Sequence, residues 1–375
     1  MGNYCQGEKK RESGNGDREA ICHDRRAQMR SVRKRTYILT STKIWVNLTC
    51  MQTERKRYAA NQCYFSHGKL HRHLQRFRSV IHSPPTTRND KIMQTTSNHF
   101  RANGGTRLFE QIWCPNQAPK AVLVIVHGYT EHSGRYQHFA HQCVHAGISV
   151  EAFDLRGHGK SDGPRGFVND FQDYVHDLAQ FLIRVRERNA HLPVFLFAHS
   201  LGGTISTQLV SQESPDLSGL IFSGAALTVG DSVSRPMQYI AKALSCWFPK
   251  IPTVPIGTGS VITRNPSAIK DYDQDPLVYR GRVPARTGAE VLRAIQNLQL
   301  DTVRTPLLIL HGTADRVTDL KGSQQLYMRA QTTDKTFKPY EGLYHSLLEE
   351  SEKDQVIDDI LSWITQRIPT QSHLL

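Results

Sequence analysis

Phe195-Leu196-Phe197-Ala198-His199-Ser200-Leu201-Gly202-Gly203 carries an apolar segment straight into a serine set among small residues. A helix-forming stretch, Thr204 to Ser211, follows at once. A strand-turn-helix of this kind lifts a serine hydroxyl clear of a sheet and points a helix N-terminus at it. The general pattern for such an elbow is G-x-S-x-G, and Ala198 stands where its first glycine would be. A serine between small residues is also an ordinary turn, so the reading depends on partners elsewhere in the chain.

On the N-terminal side of the elbow, Thr106 to Trp113 alternates enough for an edge strand, and Ala121 to Val126 is a continuous apolar run ending at His127-Gly128. An unbroken run of this length suits a strand buried on both faces. Tyr136 to Ala146 reads as a helix, Ile148 to Phe153 as a strand, and Phe171 to about Arg188 as a helix. Leu217 to Phe222 follows the elbow as another strand. Short apolar strands alternating with amphipathic helices predict an α/β fold, a mostly parallel sheet covered on both faces.

The alternation lapses from about Ala225 to Thr305, where no strand is expected until Pro306 to Leu310. An interruption of that size reads as an inserted helical cap. Within it, Met237, Ile240, Ala241, Leu244, Trp247 and Phe248 fall at helical spacing and make one apolar face. That face either packs on the core or serves as a lid that lines a lipid-sized tunnel or touches a membrane. The chain closes with a helix near Ser323 to Arg329, a strand at Thr336 to Tyr340 and a helix from Glu352 to about Ile368.

A serine hydroxyl needs a base to take its proton, and the base needs a third group to hold its tautomer. On an elbow of this type the partners follow in the order serine, acid, histidine, each in a loop after a late strand. Asp315 and His345 meet that requirement: Asp315 lies just past the strand ending near Leu310, and His345 just past the one ending at Tyr340. Asp319 sits further on, at the next helix start, while His127 and His199 flank other features. Acyl transfer also builds charge on a carbonyl oxygen, which calls for backbone N–H donors. The expected donors are Leu201, directly after the nucleophile, and Tyr129, in the loop after the Ala121 strand.

The stretch His127-Gly128-Tyr129-Thr130-Glu131-His132-Ser133-Gly134-Arg135-Tyr136 resembles the early-strand loop of the monoacylglycerol lipase family. Phe153 to Gly166, Asp273 to Leu277 and Asp334 to His345 are similar to that family as well, and the likeness covers about residues 100–368. The resemblance implies an α/β-hydrolase with a helical cap that cleaves one fatty acyl ester from glycerol through an acyl-enzyme. It also implies a polar head pocket at Glu131, Arg135 and Tyr272, with Glu131 and Arg135 equally readable as a local ion pair. Two departures stand out: Ala198 for the first elbow glycine, and a bulky Tyr129 where the family often has a small residue. Rival readings are a lysophospholipase or general carboxylesterase, acyl transfer to another alcohol, and a silent lipid-binding module of the same fold. No cofactor and no metal are expected, because Gly157, Gly159 and Gly163 do not form a nucleotide fingerprint and the mechanism needs no metal.

Charge divides the 375 residues unevenly: residues 1–97 hold 20 Lys and Arg against 7 Asp and Glu, and the remainder holds 27 of each. Residues 1–97 read as a basic, disordered extension, ahead of a hydrolase domain at 98–375. A lipid-surface arm is the second reading of the extension, since basic clusters are drawn to anionic headgroups. Nucleic acid is not an expected partner, because no aromatic-interleaved motif accompanies the charge. Met1-Gly2 with Cys5 and the triplet Asn47-Leu48-Thr49 are weak modification signals. A chain initiated at Met93 would reach the first domain strand within about fifteen residues, so the upstream quarter also reads as an isoform-specific extension. Scattered cysteines and the lack of an apolar run of ~18 residues suggest a cytoplasmic protein, at most peripheral to membranes through the cap or the basic segment.

Overall fold

A computed structural model of the chain describes residues 93–229 and 235–369, all within one compact unit, 76–375. The expected basic extension, its acylation and glycosylation signals and its lipid-surface reading lie outside the described residues. Ten strands are seen among those described. Eight of them, in the order β1-β2-β4-β3-β5-β6-β9-β10, form the main sheet. They are β1 (Met93–Arg101), β2 (Arg107–Pro115), β3 (Ala121–Val126), β4 (Ile148–Phe153), β5 (Val194–His199), β6 (Gly219–Ser223), β9 (Leu307–Gly312) and β10 (Lys335–Tyr340). From β4 to β10 every neighbouring pair is parallel, while β1 and β2 run antiparallel at one edge.

Side-chain alternation explains why the central strands read as unbroken apolar runs. Val122, Val124 and Val126 of β3 enter one core, while Leu123 and Ile125 enter the other. Helices α2 (Gln172–Arg188) and α3 (Leu201–Glu213) cover the first face, through residues such as Phe181 and Leu209. Helices α1 (Gln137–His145) and α9 (Lys353–Thr365) cover the second, through Phe139 and Trp363. Each fully buried large apolar side chain contributes roughly 1.5–3 kcal/mol of transfer free energy, so both helical layers stabilise the sheet.

Two expectations change. The edge strand is β1, which begins at Met93, ahead of the expected domain start at residue 98 and outside the strand read at Thr106 to Trp113. It shows no apolar alternation because only Phe100 of its residues is buried. Its backbone ladder with β2 holds it in place. The cap is also not purely helical. Besides α4 (Arg235–Trp247), α5 (Gly259–Ile262), α6 (Pro266–Gln274) and α7 (Ala285–Gln296), it contains a two-stranded ribbon of β7 (Pro252–Pro255) and β8 (Arg282–Pro284). Both ribbon strands end in proline and are too short to show a period. Helix α8 (Leu320–Arg329) lies between β9 and β10.

The cap is tied down over the carboxyl ends of the strands. Ser346 N–H donates to Ile262 O at 2.8 Å, and Arg264 pairs with Glu350 at 3.2 Å and Glu352 at 2.7 Å. His132 Nε2 meets Asp275 Oδ2 at 2.8 Å. The outer side of α4 is different: Tyr239, Ile240, Trp247 and Phe248 are exposed, Trp247 by 81%. Those side chains do not pack on the core. The side chains of Met237 and Ala241, counted above in the same apolar face, lie outside those described.

Candidate active site

Ser200 links β5 to α3 with φ +52° and ψ −118°, a strained conformation for any residue but glycine. Such a backbone costs about 1–3 kcal/mol and persists only where its surroundings over-determine it. Here Ser200 N–H donates to Ser223 O at 3.1 Å, and Ser200 O accepts from Gly203 and Ala226 N–H at 2.9 and 3.0 Å. A Cβ on Gly202 would lie 2.3 Å from Val126 O, so the second glycine of the elbow lets α3 press against β3. Ala198 is buried and keeps its place in the ladder between Val126 and Phe222, so a methyl group fits at the first glycine position.

Asp315 and His345 converge because the loops after β9 and β10 touch. A Cβ on Gly312 would lie 2.3 Å from the carbonyl oxygens of both Leu343 and Tyr344. His345 Nδ1 is 2.8 Å from Asp315 Oδ2, and Ser200 and His345 line one cavity of about 240 Å³. Asp315 is enclosed by donors. Its Oδ1 accepts from Val317 and Thr318 N–H at 2.7 and 3.0 Å, and its Oδ2 from the Thr318 hydroxyl at 2.8 Å. Burial disfavours the carboxylate, yet the nearby His345 and these hydrogen bonds outweigh it and hold the acid far below the usual range. With Asp315 anionic, His345 carries its proton on Nδ1 and leaves Nε2 as an acceptor.

The loop after β3 lies against the serine: a Cβ on Gly128 would sit 3.0 Å from Ser200 Cβ. His127 braces it, with Nδ1 2.7 Å from Gly128 O and Nε2 accepting from Leu155 N–H at 2.9 Å. Tyr129 lines the cavity, but its phenol donates to Gly166 O at 2.7 Å and its ring packs edge-on against His158. The bulk noted in the sequence is thereby drawn toward the 157–166 loop. Leu201 is buried at the first turn of α3, so its N–H is one of the unbonded donors at that helix start.

The expected head-pocket residues divide. Glu131 and Tyr272 line the serine cavity, whereas Arg135 lines a smaller chamber of about 70 Å³ on the far side of Glu131 and His199. Glu131 Oε1 accepts from Gly128 N–H at 2.7 Å and from the Tyr136 hydroxyl at 2.8 Å, and its Oε2 is 3.7 Å from Arg135 Nε. Burial opposes its charge, but Arg135 and the Gly128 N–H hold its pKa down. Arg135 also donates to Glu349 at 3.0 Å and stacks 5.0 Å from the Tyr272 ring centre. The ion-pair and head-pocket readings of Glu131 are therefore compatible.

Residues 117–352 match the hydrolase family described as serine aminopeptidase, S33. A monoacylglycerol lipase of Mycolicibacterium smegmatis is 34% identical over 280 residues, which is 74% of this chain and all of that one. The chain belongs to the monoacylglycerol lipase family. The human monoglyceride lipase is 35% identical over 277 residues, covering 72% of this chain and 91% of its own. Among solved structures, a Paleococcus ferrophilus monoacylglycerol lipase superposes with a TM-score of 0.61 at 28% identity, over 73% of this chain and all of that one. The protein is thus an α/β-hydrolase and a carboxylic ester hydrolase, as monoacylglycerol lipases are.

Two histidines at the site were given no role in the sequence, His199 because it flanks the elbow and His311 because nothing beyond its position marked it. His199 lines the cavity beside Ser200, its ring 4.6 Å from that of His345. Burial pushes its pKa down to about 4. Its Nδ1–H donates to Ser223 O at 2.9 Å, which leaves Nε2 as the acceptor, 3.8 Å from Glu131. His311 is fully buried behind the acid, with Nε2 3.3 Å from Asp315 Oδ2 and Nδ1 2.8 Å from the Ser323 hydroxyl. His199 precedes the elbow serine and His311 precedes Gly312, so position along the chain was the only signal that pointed to either.

Proposed function

We propose that the protein hydrolyses the ester of a monoacylglycerol, with Ser200 as nucleophile, His345 as the general base and acid, and Asp315 as its orienting carboxylate. The Leu201 and Tyr129 N–H groups form the oxyanion hole. Ser200 Oγ attacks the ester carbonyl as His345 Nε2 takes its proton; His345 then returns that proton to the glycerol leaving oxygen. Water repeats the sequence to release the fatty acid and free Ser200. The acyl chain lies against the apolar side of the cavity, made by Pro255, Ile256, Val261, Ile262, Val283 and Val317.

The charge of the polar end carries the choice of substrate. Glu131 faces the cavity, and Arg135, the nearest cation to it, is already shared with Glu349. A neutral glycerol can donate hydroxyls to Glu131, whereas the phosphate of a lysophospholipid would meet a like charge. Like-charge contact in a confined site costs several kcal/mol. Turnover of monoacylglycerol is therefore expected to exceed that of lysophosphatidylcholine of the same chain by roughly 100-fold in kcat/KM. Equal rates on the two lipids would exclude this reading and favour a lysophospholipase.

The exposed cap face supports contact with a lipid surface. Tyr239, Ile240, Trp247, Phe248 and Val254 are all exposed, and the exposed Lys242 and Lys250 lie between them in the sequence. Apolar side chains flanked by lysines suit a headgroup boundary, where Trp and Phe enter the acyl region and lysine meets anionic lipid. No helix among the described residues is long and apolar enough to cross a membrane. Replacing Trp247 and Phe248 together by serine is expected to weaken binding to anionic vesicles by about tenfold or more, and to leave turnover of a water-soluble ester unchanged. Unaltered sedimentation with vesicles would remove the cap from this role.

A further inference from the structure

Thr130 has φ +80°, and it is buried in the loop that follows β3. A β-branched residue is held in the left-handed region only by its neighbours, and no turn chemistry favours it there. Both groups that hold Thr130 belong to the cap. Its carbonyl accepts from Tyr279 N–H at 2.7 Å, and its hydroxyl is hydrogen-bonded to that of Tyr272, also at 2.7 Å. The adjoining residues are tied to the core instead, through His127, and through Glu131 to the Gly128 N–H and the Tyr136 hydroxyl. The cap tyrosines are themselves seated. Arg135 and Arg280 flank the Tyr272 ring, and the Tyr279 hydroxyl donates to Arg282 O at 2.9 Å.

We infer that the cap forms part of the oxyanion-hole framework: Tyr272 and Tyr279 hold Thr130 in its left-handed conformation and so fix the far side of the turn that carries the Tyr129 N–H, whose own peptide His127 holds through Gly128 O. Both tyrosines are positioning residues for acyl transfer, which makes Tyr272 more than a wall of the head pocket. The inference rests on the acyl-transfer reading above. If the cap shifts, Thr130 loses both supports and relaxes toward negative φ, which turns the Tyr129–Thr130 peptide and displaces the Tyr129 backbone that carries the donor N–H. Catalysis then requires a seated cap even for substrates that the cap does not touch. Displacing a catalytic group by as little as 1 Å can cost about 10²-fold.

The test uses p-nitrophenyl butyrate, which has no glycerol to contact Tyr272. On this ester Tyr272→Phe is expected to lower kcat about tenfold while KM stays within about twofold. Thr130→Ala, which removes the same hydrogen bond from the other side, is expected to give a similar loss, and the two losses do not add. In a chain carrying Thr130→Gly the hydroxyl that Tyr272 bonds is absent and the conformation is free of strain, so Tyr272→Phe costs less than about threefold there. An unchanged kcat for both Tyr272→Phe and Thr130→Ala would overturn the proposal, as would the same loss with and without Thr130→Gly. Failure of the acyl-transfer reading is distinguishable: the native chain would then neither turn over the ester nor label with a fluorophosphonate.

Discussion

Ser200→Ala is expected to lower kcat by about 10⁶-fold and to abolish labelling by a fluorophosphonate probe. The loss is that large because the proposed mechanism makes Ser200, His345 and Asp315 act as a unit. Without the hydroxyl, the base has no proton to take and no acyl-enzyme can form. The substitution leaves the scaffold in place. The hydrogen bonds that shape the elbow come from the Ser200 backbone, and those that fix Asp315 come from Val317, Thr318 and His345. A melting temperature close to that of the native chain should accompany the lost activity. Residual turnover of about 10³–10⁴ over water is expected from the oxyanion donors alone. Continued labelling of the variant would place the nucleophile elsewhere. A native chain that failed to label would instead support the silent lipid-binding reading of this fold.

The parts of the site that could be read from the sequence are those that chain direction alone determines. Ser200, Asp315 and His345 each follow a strand, and in a parallel sheet the carboxyl ends of the strands meet at one end of the sheet. The cap was legible as a gap in the alternation. What could not be read depends on how loops meet. Glu131 was assigned to the head pocket, yet it also bonds Gly128 N–H, because the loop folds back on itself over only three residues. Thr130 gives no sign of its positive φ, since threonine is a residue that disfavours it and the support comes from residues 272 and 279. Strand β1 escaped notice for a different reason. Its partner supplies the ladder, and its own side chains are exposed except at Phe100 and, in part, Met93.

Asp315→Asn is expected to lower kcat by about 10⁴-fold, and the hydrogen bonds around the acid explain why an isosteric change should cost so much. An asparagine at this position must choose which side receives its amide nitrogen. The Oδ1 side faces the N–H groups of Val317 and Thr318, which cannot turn away, so the carbonyl oxygen must stay there. The NH₂ group is then directed at His345 Nδ1, where Asp315 Oδ2 now accepts at 2.8 Å. Two donors cannot share that contact. His345 therefore moves its proton to Nε2, the nitrogen that must be bare to receive the proton of Ser200. The native carboxylate meets no such limit at any working pH. Its pKa is held well below that of a free aspartate, so the stabilisation it provides is complete above the unfolded value of about 3.9. That stabilisation is lost only as the pH falls toward the depressed folded value. Asp319 provides the control, because its side chain accepts from Lys321 N–H at 2.9 Å as the N-cap of α8. Asparagine caps a helix as well as aspartate does, so Asp319→Asn should change kcat by less than about twofold. A loss below tenfold for Asp315→Asn would point to another acid, and equal losses for the two variants would show that the damage lies in the loop and not in the tautomer of His345.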